Sequence, residues 1–172
     1  GETGVKSVQT IPSSRLLSTL EQKVWLRPLL EAALATLPTG SVPALADWKL
    51  RDDSAIYDLE HFDGLRTAVV MANGLVGQFC CALKLKGRKE PLATWFKLQE
   101  NAPFGHFAYL LRAIEQTIRQ NRTVYPVERT LLTTGILDRV MQSHARGGER
   151  LETPELAIDR KSTRLNSSHS SV

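Results

Sequence analysis

Hydrophobic positions keep a period of two in some stretches and a helical period in others, and the switches between them lay out the elements. Residues 5–11 mix β-branched side chains with Lys6, Ser7, Gln9 and Thr10, which predicts a short strand ended by Pro12. Ser18 with Glu21 three residues on has the spacing of a capping box, and Pro28 suits the first turn of a further helical segment. Leu29, Leu30, Ala33, Leu34 and Leu37 fall on one side at about 100° per residue until Pro38 stops the pattern. That side is expected to pack on a sheet.

In the middle of the chain Asp63-Gly64, Asn73-Gly74 and Gly87 separate β-rich runs, and such pairs supply the positive φ angles that tight hairpins need. The spacing predicts a meander with strands over 55–62, 65–72, 75–86 and 91–99. In the third, Phe79, Cys81, Leu83 and Leu85 alternate with Gln78, Cys80, Ala82 and Lys84, giving one firmly apolar face and one mixed face. Val76, Cys80 and Ala82, with Trp95 of the next strand, are expected to form a patch on the mixed face that a second subunit covers.

Phe104, Phe107, Ala108, Leu111, Ile114 and Ile118 then keep helical spacing, with Arg112, Gln116 and Arg119 opposite, which predicts an amphipathic helix. Residues 126–141 open on Pro126 and carry Val127, Leu131, Leu132, Ile136, Leu137, Val140 and Met141 around most of a helix circumference. A helix of that kind needs more than one neighbour. The fold class that results is α+β, a mostly antiparallel open sheet (a meander) with helices packed on one face.

Composition narrows the class. Hydrophobic residues at 42% and charged residues at 23% are ordinary for a globular domain, and the apolar runs are too short to span a bilayer. The first residues, 1–8, lack both an initiator Met and the order of a signal peptide, so a preceding part is expected. Cys80 and Cys81 are adjacent in a strand, where their side chains point to opposite faces, so they read as small buried hydrophobes without a disulfide, and a cytoplasmic location is the simplest expectation. The net charge of +4 falls to +2 once residues 159–172 are set aside, and no nucleic-acid partner and no membrane association is expected. Those last residues, DRKSTRLNSSHSSV, are polar and Ser-rich and resemble the translation of a sequencing-library adapter, a non-native disordered tail after a single domain over 1–158.

Chemistry is sparse. There is no G-x-G-x-x-G, no G-x-x-x-x-G-K-[ST] loop, no βαβ pattern and no G-x-S-x-G elbow. His61, His106 and His144 fit no metal spacing, so the metal-binding and catalytic sets are empty. His106, inside Phe104-Gly105-His106-Phe107 at a helix opening, is the one substrate-facing candidate, against the reading that it packs or caps. Asp58 and Glu60 share a strand face, which a solvated strand edge explains far more readily than a carboxylate pair. Asn121-Arg122-Thr123 matches a glycosylation acceptor by chance composition.

The segments GETGVKSVQ, DGLRTAVVMANGLVGQF, PFGHFAYLLRAIEQTI and YPVERTLLTTGILDRVMQS followed by RLETPEL resemble, in order and spacing, the C-terminal domain of Gfo/Idh/MocA oxidoreductases over nearly all of residues 1–158. The resemblance implies a two-domain enzyme. An N-terminal Rossmann domain holds NAD or NADP, and a C-terminal domain with an open sheet shapes the pocket for a sugar-like or polyol substrate and builds a homo-oligomer through the sheet face. The family's catalytic Lys, Asp and His motifs have no counterpart here; Arg88-Lys89-Glu90-Pro91 has similar letters in another order, and Lys89 is not assigned a role. The expectation is an inactive fragment that binds no cofactor itself and whose partner is the Rossmann domain. The competing expectations are a non-catalytic interaction domain that keeps the sheet for assembly, and a small ligand-binding module.

Overall fold

A computed structural model describes residues 3–99 and 101–158. The Ser-rich stretch from Asp159 onward lies outside them. The fold class is α+β, with an antiparallel four-stranded sheet and a two-stranded sheet. In chain order the elements are β1 (Val5–Pro12), α1 (Ser13–Gln22), α2 (Leu26–Leu34), β2 (Ala55–His61), β3 (Arg66–Met71), β4 (Phe79–Leu83), β5 (Leu92–Phe96), α3 (Phe107–Gln120), α4 (Val127–Ala145) and β6 (Leu151–Glu152). Short 3-10 turns lie at Leu45–Asp47 and Pro154–Leu156.

The larger sheet runs β3-β2-β1-β6, while β4 and β5 pair only with each other. The four-strand meander is therefore divided: Asp63-Gly64 turns β2 into β3, but Asn73-Gly74 leads out of the sheet rather than into a third strand of it. Gly64 takes φ +81°. The Asp63 carboxylate accepts from the Leu65 amide at 3.1 Å, and the amide of Leu65's partner His61 donates to the Leu65 carbonyl at 2.9 Å, closing a tight hairpin. After β3 the amides of Leu75 and Val76 both donate to the Ala72 carbonyl at 3.0 Å, so these residues wind into a turn and β4 starts only at Phe79.

The expected capping box is also absent. Ser18 lies inside α1, where its hydroxyl donates to the Arg15 carbonyl at 3.1 Å, and the helix begins at Ser13 directly behind Pro12. Proline supplies the extended backbone that a helix entry needs, and it has no amide hydrogen to leave unsatisfied. Pro28 sits in the first turn of α2, as its spacing predicts, and Ala33 and Leu37 are buried on the side that the helical period marks out.

The described residues form two compact units. In the unit of residues 3–10, 57–67, 99 and 101–158, Val5, Val8, Leu59, Leu132, Val140, Leu151 and Leu156 make one apolar cluster. Polar groups tie α4 to β1 there: the Thr10 amide donates to Ser143 Oγ at 2.9 Å, and Thr10 Oγ1 donates to the Val140 carbonyl at 2.6 Å. β6 is only two residues long but pairs antiparallel with β1, Ser7 opposite Glu152 and Val8 opposite Leu151. Beyond it Thr153 donates through its amide to the Lys6 carbonyl and through Oγ1 to the Val5 carbonyl, each at 2.8 Å. Gly4 takes φ +89°, and a Cβ there would stand 1.9 Å from the Leu156 carbonyl oxygen, so the backbones of two separated segments approach as closely as only glycine allows.

In the unit of residues 11–56 and 68–98, Ile11, Leu16, Leu20, Leu26, Trp48, Ile56 and Ala72 form the second cluster. Trp48 Nε1 donates to the Pro43 carbonyl at 3.1 Å, which satisfies its one polar atom inside the core. α2 also packs on the β4–β5 hairpin.

Candidate functional site

His106 precedes α3 as its N-terminal flanking residue, with helical backbone angles and no side-chain cap hydrogen bond. It is half-buried, its ring lies tilted on Phe107 with centroids 4.4 Å apart, and Nδ1 is enclosed without a hydrogen-bond partner. His61 is placed differently, with Nε2 3.0 Å from Thr67 Oγ1 across the β2–β3 hairpin. Among the described residues no three of His, Cys, Asp and Glu come together as a metal-holding group.

Asp58 and Glu60 take separate cationic partners, and they do not lie on a strand edge. β2 is an inner strand, between β3 and β1, and Asp58 is buried with Arg66 3.6 Å away. Glu60 takes its own cations, Lys6 at 3.4 Å and Arg150, which in turn reaches Glu152. Hydrogen bonds from the Arg150 guanidinium and the Lys6 ammonium hold the Glu60 carboxyl below its ordinary value, and the same contact with Glu60 raises Arg150. A carboxylate held ionised by two cations is a poor general acid. These groups staple three strands at the surface.

The hairpin reverses the expected faces. Its register pairs Phe79 with Phe96, Cys81 with Thr94 and Leu83 with Leu92 on one side, and Cys80 with Trp95 and Ala82 with Ala93 on the other. The side with Cys80, Ala82, Ala93 and Trp95, together with Val76, is half-buried, whereas Phe79 is 63% and Phe96 52% exposed. Cys80, Ala82 and Ala93 are small enough to let α2 approach the strands, so the mixed face is the one this unit covers itself. The firmly apolar face is left uncovered. Both cysteines are free and half-buried rather than buried. Burial pushes the Cys80 thiol above its ordinary value, with Cys81 beside it adding to the effect, which is the opposite of an activated thiolate.

An open groove of about 540 Å³ lies along α2 and residues 37–46, lined by Leu34, Leu37, Val42 and Leu45 with the Arg27–Glu31 ion pair at 2.9 Å on its wall. A shallower one of about 310 Å³ follows the polar side of α3 at Arg112, Glu115 and Arg119. Neither takes in His106, Asp58 or Glu60. The described residues do not fit a dinucleotide: the four-stranded sheet is antiparallel, and β1 runs into α1 through Pro12 and Ser13 without the glycine turn that brings a pyrophosphate onto a helix N-terminus.

The most conspicuous surface feature is on α4, whose sequence is apolar around most of the helix. α4 buries Leu132, Val140 and Ser143 on one side while Val127, Leu131, Leu137 and Met141 stand exposed on the opposite side, at 69% for Val127 and 53% for Met141. On α3 only Ala113 is buried, and Phe107, Leu111, Ile114 and Ile118 form an exposed stripe at helical spacing. The signal was present in the all-round apolarity of α4, but periodicity alone does not say which side meets the sheet. No family model, curated protein or solved structure matches the chain, and among the described residues no helix is long and apolar enough to cross a membrane.

Proposed function

We propose that this chain is the substrate-shaping and assembly domain of a cytoplasmic NAD(P)-dependent oxidoreductase acting on a sugar-like or polyol substrate. The dinucleotide is held by a Rossmann domain outside these residues. The chemical half of the reading rests on the ordered resemblance of GETGVKSVQ, DGLRTAVVMANGLVGQF, PFGHFAYLLRAIEQTI and YPVERTLLTTGILDRVMQS to the Gfo/Idh/MocA family. The assembly half rests on the apolar faces left exposed, the outer side of α4 and the Phe79–Phe96 side of the hairpin. Exposed apolar faces of this kind mark surfaces that another body covers. The α3 and α4 stripes are assigned to the partner domain, His106 at the start of α3 to the substrate side, and the Phe79–Phe96 face of the hairpin to a second copy of the chain.

The test is calorimetric titration of the 172-residue chain with NADH and NADPH, repeated on a chain extended at its N-terminal side by the encoded upstream segment. The account predicts no binding heat from the first and saturable binding from the second. Micromolar affinity in the 172-residue chain would place the dinucleotide site here and overturn the division of labour. An upstream segment without a strand followed by G-x-G-x-x-G would leave the alternative reading, a non-catalytic interaction domain.

A further inference from the structure

We draw no further inference here: the strongest candidate, the basic turn at the tip of the β4–β5 hairpin where Lys84, Lys86, Arg88 and Lys89 stand exposed, carries nothing because no second feature among the described residues points to an anion there and the Lys84 ammonium is already engaged by the Lys89 carbonyl.

Discussion

α1 and α3 carry the same kind of sequence signal and meet opposite fates. Each is amphipathic with apolar residues at helical spacing, yet Leu16 and Leu20 of α1 are 0% and 4% exposed, whereas Leu111 and Ile118 of α3 are 63% and 74% exposed. The difference is not in the helices. α1 follows β1 directly through Pro12, so its apolar side is delivered onto Ile11 and Ile56 by a junction with no freedom to spare. On α3 only Ala113 is buried, and its apolar stripe is left exposed. An amphipathic pattern names the side that must be covered; tertiary packing decides whether the same chain covers it.

Truncating one residue on each helix gives the largest expected difference. Leu16→Ala empties a fully enclosed site and is expected to lower stability by about 3 kcal/mol, whereas Ile118→Ala removes exposed atoms and is expected to change it by less than about 0.5 kcal/mol. Urea denaturation of both variants against the parent measures the two values. Equal losses would mean that α3 is as firmly packed as α1.

Within α4 the comparison is between its own two sides. Ser143→Ala removes the acceptor of the buried Thr10 amide and the hydroxyl that donates to the Glu149 carbonyl at 2.5 Å. Leaving a buried amide unsatisfied costs about 1–3 kcal/mol. The denaturation midpoint should therefore fall clearly, with Ser143→Thr recovering part of the loss if its hydroxyl reaches the same amide. An unchanged midpoint for Ser143→Ala would show that this link does not hold α4 to β1.

The smallest effect is electrostatic. Glu60 is held below its ordinary value, 4.5, by Arg150 and Lys6. A depressed carboxyl adds stability that is present above its unfolded value and is lost as pH falls through its folded value. Because the groups are exposed, the contribution is small and weakened by salt. Glu60→Gln should flatten the decline of the denaturation midpoint below pH 4.5 at low salt, and the difference from the parent should shrink at high salt. Parallel declines would remove Glu60 from the account.

Much of the fold is legible in the sequence because local chemistry dictates it. Asp63-Gly64 places the β2–β3 turn, Pro28 sits in the first turn of α2, and the spacing from Phe107 to Ile118 gives α3. What escapes is decided by tertiary partners. β6 is too short to show a period and exists only because β1 offers it a ladder. The buried Thr10, Ser143 and Thr153 look like surface residues until their hydrogen-bond partners are known. On the hairpin both faces are apolar enough to be buried, and side-chain size, Cys80 and Ala82 against Phe79 and Leu83, selects which one lies under α2. For the site, His106 lies at the helix opening where the sequence puts it, half-buried and outside both grooves.

The assembly role is tested most directly by sedimentation velocity on the chain and on a variant carrying Phe79→Glu and Phe96→Glu. The pair stands exposed on one face of the hairpin and in register across it. Two charges on a face that a second copy covers are repeated on both subunits and oppose association twice over. The account predicts that the parent sediments as a dimer or larger species and that the variant sediments at lower mass with an unchanged far-ultraviolet circular dichroism spectrum. The same mass for both, with the same spectrum, would contradict it.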